Sequence, residues 1–171
     1  MKERKWVINE NILLKEATEK DLGILLRFQE SIIENMERKD FFQMLNEEEF
    51  LYPINDNGKV YLLYDEDVLI GFFVISVAPP MKMASDYEFD ISDIAIFDAV
   101  MIKEEYRGSG LQRQAMEIAY DYAKDKGLKA LVATVHPENF YSLNNFVIED
   151  YKIIRKKNVH GGERLIVYKE I

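Results

Sequence analysis

Cysteine is absent from the chain, which excludes a disulfide framework, a thiol nucleophile and any Cys-ligated zinc or iron–sulfur centre. Histidine is scarce: His136 and His160 are the whole supply, too few for a His-rich metal site. No apolar run approaches the length that spans a bilayer, and the charged start Met1-Lys2-Glu3-Arg4-Lys5-Trp6 leads into no apolar signal segment. These absences predict a cytoplasmic protein with no metal and no membrane partner. Basic residues are outnumbered, 22 Lys and Arg against 31 Asp and Glu for a net charge of -9. That balance argues against a nucleic-acid partner, whose phosphates require a basic stripe.

What is present suits a folded globular protein. The 171 residues are 48% hydrophobic, with ten Phe and ten Tyr, enough for one continuous core, so a single domain over 1–171 is expected. Charge is uneven. Asp86, Glu88, Asp90, Asp93 and Asp98 fall in one stretch, which either attracts a cationic amine or is a solvated loop, while Lys152, Arg155, Lys156 and Lys157 cluster near the C-terminus.

Ile12 to Glu16 reads as a first strand, and Thr18 with Asp21 resembles a capping box that opens a helix. Leu22, Leu25, Leu26, Ile32, Ile33 and Met36 give that helix one apolar face. A short helix is expected over 47–51, ended by Pro53. Val60–Tyr64 and Leu69–Val77 form a hairpin about Asp65-Glu66-Asp67, and Ile94–Ile102 is a strand after a long polar loop from Met81 to about Ser92. A helix with Leu111, Ala115, Ile118, Ala119 and Tyr122 on one face stops at Gly127. Beyond it come a strand at 130–135, a short helix from Asn139, a strand at 151–156, the turn His160-Gly161-Gly162 and a last strand at 164–169. The order is β-α-α-β-β-β-α-β-α-β-β.

Between the strand ending at Ile102 and the helix after it lies Arg107-Gly108-Ser109-Gly110-Leu111-Gln112. Glycines in such a turn let the backbone approach closely and aim successive N–H groups at an anion. A P-loop would need Gly-Lys-Ser/Thr, which is missing, and a dinucleotide fingerprint needs a third Gly where Arg113 stands. The hexapeptide resembles the signature Arg/Gln-x-x-Gly-x-Gly/Ala of the GNAT (Gcn5-related N-acetyltransferase) superfamily and departs from it at Gln112. The side chain of Gln112 must either point away from a bound pyrophosphate or add a hydrogen bond to it. The element order above is also that of the family.

The resemblance implies an α/β (α+β) GNAT fold: a mixed, mostly antiparallel central sheet of about six or seven strands flanked by about four helices. It implies acetyl-CoA as co-substrate, its pantetheine arm along Val100, Met101 and Ile102 and its pyrophosphate held by Arg107, Gly108, Ser109, Gly110, Leu111 and Gln112. Asn139 and Ser142 are spaced like the family's further CoA contacts, and Asn139 equally suits a helix cap. Many members place a Tyr, as acid for the departing thiolate, where this chain has Phe146; either Tyr141 or Tyr151 substitutes or the thiolate leaves without a side-chain acid, and Tyr141 is taken as the candidate. His160-Gly161-Gly162 and Arg164 resemble a bacterial subgroup of the family, with Arg164 either an anion ligand or an ordinary strand-edge charge.

An amine must lose a proton before it attacks a thioester. Asp98, among the apolar Phe97, Ala99 and Val100 and expected by alternation to share the face of Val100 and Ile102, is the first candidate base; Asp93 and Glu88 follow. The chain is thus expected to transfer an acetyl group to a primary amine of a small molecule or peptide, as a monomer or homodimer. A non-catalytic acyl-CoA sensor and the transfer of another acyl group are the alternatives.

Overall fold

Thr18 and Asp21 do open the first helix: the Asp21 carboxylate accepts from the Thr18 N–H (2.8 Å), closing a capping box over a 3-10 turn at Glu19–Asp21. The computed structural model describes residues 12–80, 89–159 and 162–171. The helix itself, α1, spans Leu22–Glu34 and stops short of Met36. Before it runs β1 (Ile12–Glu16), and after it α2 (Glu47–Tyr52), capped by Asn46, whose side chain accepts from Glu49 N–H (2.9 Å).

Two long strands, β2 (Gly58–Asp65) and β3 (Val68–Val77), make the expected hairpin, and β4 (Ile94–Ile102) pairs with β3. The Gly turn then leads into α3 (Leu111–Asp125), followed by β5 (Ala130–Val135), α4 (Phe140–Ile148), β6 (Lys152–Val159) and β7 (Gly162–Glu170). Gly127 takes a left-handed φ of 70° just past α3, as its stop position requires. The expected loop over 81–88 and the turn residues His160 and Gly161 lie outside the described residues. Strand β6 begins one residue later than its pattern suggests, because Tyr151 turns inward to the core at 6% exposure.

The seven strands form one sheet in the order β1-β2-β3-β4-β5-β7-β6, antiparallel throughout except for β4 against β5. Helices cover both faces. On one, Leu111, Ala115, Met116, Ala119 and Ala123 of α3 and Phe146 of α4 pack on Phe73, Phe97 and Leu131; on the other, Leu25 and Phe28 of α1 and Phe50 of α2 pack on Leu62, Phe72 and Met101. No helix among the described residues is long and apolar enough to cross a membrane.

The β4–β5 junction positions everything that follows. The two strands pair through only Ile94–Ile96 and Ala130–Val132 and then part. On its other edge β4 carries a bulge: Val74 faces Ala99 and Ile75 faces Phe97, so Asp98 is the extra residue. A bulge bends its strand and raises the local twist, which turns the second half of β4 away from β5. It also resets the alternation. Phe97, Val100 and Ile102 share the α3 face, whereas Ala99 and Met101 pack on the α1 face. Asp98 bonds to Ser76, on the α1 face of β3 beside Val74, so it does not share a face with Val100 and Ile102; the bulge defeats the period-two expectation.

Candidate active site

A cleft opens where β4 and β5 part. One section, about 250 Å³, runs past Val100, Met101 and Ile102 to Gly108, Leu111 and Tyr141; the next, about 80 Å³, is walled by Asp98, Val100, Thr134, Asn139 and Arg164. Phe41 and Phe42, Val100, Asn139 and Ser142 border both, so the two are continuous.

Backbone direction along β4 follows from two bonds. Lys103 N–H pairs with the Ile70 carbonyl of β3 (2.8 Å), while the Ile102 carbonyl accepts from Arg107 Nε (3.2 Å). Alternation then turns the main-chain groups of Val100 and Ile102 toward the cleft and those of Met101 toward β3. The Met101 side chain is buried at 1% among the α1-face core.

At the turn, Gly108 and Gly110 both take left-handed φ values, 79° and 85°, a conformation that side chains resist. Gly110 is the N-cap of α3 and has no side chain to cap it, so the leading N–H groups of a fifteen-residue helix are left for an outside acceptor. Gly108 N–H donates to the Tyr141 hydroxyl (2.8 Å). The Ser109 hydroxyl donates to the Tyr106 carbonyl, steadying the turn, and Arg107 is exposed.

Gln112 is engaged with the neighbouring helix. It is 8% exposed and turns toward α4, donating from Nε2 to Ser142 Oγ (2.8 Å) and accepting on Oε1 from Asn145 Nδ2 (3.1 Å). Arg113 adds an ion pair to Glu149 (2.9 Å) at the far end of α4. Asn139 caps α4, accepting from Ser142 N–H (3.3 Å), and both residues line the cleft. Leu111 is buried at 2% in the core, leaving only its backbone for a ligand.

The two residues named for catalysis lie in different sections. Asp98 borders the smaller one, its Oδ2 accepting from Ser76 Oγ (3.1 Å). Tyr141 is 51% exposed with its hydroxyl at the glycine turn. Phe146 is buried at 3%, edge-on to Phe97 and Tyr151. The Tyr151 hydroxyl is buried with no hydrogen-bond partner among the described residues, burial pushes its pKa up, and it borders neither section. Asp93 pairs with Lys129 (3.2 Å) away from the cleft, and Glu88 lies outside the described residues.

Arg164 is no edge charge. It is 6% exposed at the start of β7, with its Nη1 and Nη2 donating to the carbonyls of Glu163 (2.9 Å) and Asp40 (2.8 Å). Burial pushes its pKa down, opposed by the negative charge of Asp40.

Sequence reading had no hold on the α1–α2 connection. Its residues Phe41, Phe42 and Gln43 form one wall of the cleft, and the signal available was an aromatic pair inside a polar loop. Charged contacts pin that loop: Arg38 pairs with Asp40 (2.9 Å) and Glu138, and Asp40 also meets His136 Nε2 (3.2 Å). Glu138 N–H donates to His136 Nδ1, which assigns the ring proton to Nε2. The Arg38 guanidinium holds the Asp40 carboxyl at a pKa of about 2.

A seven-stranded sheet parted between β4 and β5, with a glycine turn and a bare helix N-terminus beside the gap, is the architecture of an acetyltransferase. A family model for the Acetyltransferase (GNAT) family matches residues 27–146, and the chain belongs to that family. No curated protein matches the sequence. Among solved structures, the GNAT-family acetyltransferase of Streptococcus pneumoniae superposes with a TM-score of 0.72 at 18% identity, covering 94% of this chain and 99% of that one. An N-acetyltransferase from Staphylococcus aureus Mu50 gives 0.72 at 16%, with coverage of 94% and 99%. The Salmonella typhimurium yncA structure, which holds its cofactor acetyl-CoA, gives 0.70 at 12%, with 94% of each chain covered. At such identities the likeness is one of fold.

Proposed function

We propose that this chain transfers an acetyl group from acetyl-CoA to a primary amine of a small molecule or peptide, by direct attack within a ternary complex. The observation that carries the proposal is the parting of β4 from β5 next to an uncapped helix N-terminus: an extended thioester and its pyrophosphate need those two features side by side.

The residues fit that co-substrate. Gly108 N–H already binds an oxygen, that of Tyr141, where a pyrophosphate oxygen would be accepted. The turn from Arg107 to Gln112 would hold the pyrophosphate through backbone N–H groups, with Gln112 acting on α4 rather than on the phosphate. Val100 and Ile102 would pair with the pantetheine arm. When bound, acetyl-CoA supplies an activated acyl group.

Asp98 holds the base role in this reading. It lies in the small section of the cleft, where an acceptor ammonium would enter, and takes the proton that must leave before attack. An N–H of β4 stabilises the oxyanion. Tyr141 belongs to the pyrophosphate end, in the section that Asp98 does not border, and is reassigned there from the acid role. With Phe146 buried in the core, no tyrosine stands at the family's usual acid position.

That same Phe146 favours a second reading, an acyl-CoA sensor without turnover. Thermal unfolding with and without millimolar acetyl-CoA, followed by thiol release against polyamines, amino acids, aminoglycosides and peptides, separates the two. A rise in Tm with thiol release is expected. Absence of any Tm rise overturns the cofactor assignment, and a rise without release across the panel moves the chain to the sensor class.

A further inference from the structure

Arg164 is a buried cation that forms no ion pair among the described residues. Two of its five N–H donors go to the carbonyls of Glu163 and Asp40. The charge of Asp40 acts on it, but that carboxylate is given to Arg38 and His136. Burying a guanidinium without a counter-ion is costly, and such a site is favoured when a ligand brings the missing negative charge. Both carbonyls hold the guanidinium in place at the wall of the small section of the cleft, the section that Asp98 also borders.

From this pairing of one fixed cation and one acid in one small space, we infer that the acceptor is a free amino acid, its carboxylate bound by Arg164 while its amine faces Asp98. The inference rests on the proposed acetyl transfer and narrows it from any amine to a zwitterion. Three features favour a carboxylate. A guanidinium presents a planar fork that matches a carboxylate in two parallel hydrogen bonds. The section, at about 80 Å³, suits a small headgroup, with its side chain leaving past Phe41 and Phe42. A peptide N-terminus carries no carboxylate near its amine and would leave Arg164 unpaired.

The test uses the full chain with saturating acetyl-CoA and compares α-amino acids with their descarboxy amines and with short peptides. The wild type is expected to favour the acid by about 100-fold in kcat/KM, the range of a charge-assisted hydrogen-bond pair. Arg164→Gln should lower kcat/KM for the acid at least about tenfold more than for the amine, so that the preference falls; Arg164→Lys should keep part of it. Wild-type turnover of amines or peptides equal to or above that of the acids overturns the inference, as does an Arg164→Gln variant that loses acid and amine alike. Calorimetric titration of the same acids into the wild type, with and without CoA, reads the site apart from turnover. Absence of acid binding there also overturns it. Failure of acetyl-CoA to bind would instead strike the transferase reading, and the acid titration would still report on Arg164.

Discussion

Gln112 stands where the family signature has Gly or Ala, and its side chain ties α3 to α4 through Ser142 and Asn145. Replacing it by Ala would meet the signature and yet leave the amide of Asn145, at 8% exposure, short of a partner. Gln112→Ala is therefore expected to lower stability by about 1–2 kcal/mol in urea unfolding; a variant as stable as the wild type would show that the bridge contributes nothing. Asp98 makes a kinetic prediction. Asp98→Asn should reduce turnover at pH 7 by about 100-fold. The loss should shrink as pH rises toward the amine's own pKa, because solvent then supplies neutral amine. An unchanged pH–rate profile would remove Asp98 from proton transfer.

At the scale of elements, the glycine turn and the bulge do different work. Gly108 and Gly110 adopt φ values of 79° and 85° with open space around the missing Cβ atoms, so strain rather than collision decides a substitution. Gly108→Ala should cost about 1–2 kcal/mol in stability and weaken acetyl-CoA binding further, since its methyl would stand beside the N–H proposed to meet the pyrophosphate. Calorimetry of acetyl-CoA binding and denaturant unfolding on the same variant check both halves. The bulge at Asp98 bends β4 out of its pairing with β5 and places the carboxylate on the face opposite Val100.

Across the whole molecule, the cleft is assembled from parts far apart in sequence. The α1–α2 loop is held over β5 and α4 by Arg38, Asp40, His136 and Glu138, and Arg164 reaches it from β7. Asp40 links that latch to pH. Its pKa falls from 3.8 to about 2 through the hydrogen bonds and charge of Arg38, so its contribution is complete above the ordinary carboxylate value and is lost as pH drops toward about 2. An NMR titration should place the Asp40 midpoint near the lower value, and Arg38→Gln should return it toward the ordinary one. A midpoint that ignores the substitution would show that the latch does not form.

Sequence alone determined the elements and their order. Apolar periodicity, the Thr18–Asp21 box and the glycines at 108, 110 and 127 act within a few residues, and local sterics and hydrogen bonding suffice to place them. The glycine turn was legible for the same reason. Tertiary structure decided which side chains share the cleft. No local pattern records that a bulge residue at Asp98 resets a strand's faces, that Gln112 turns to α4, or that Arg164 is buried, because each depends on pairing and packing between segments 22 to 124 residues apart.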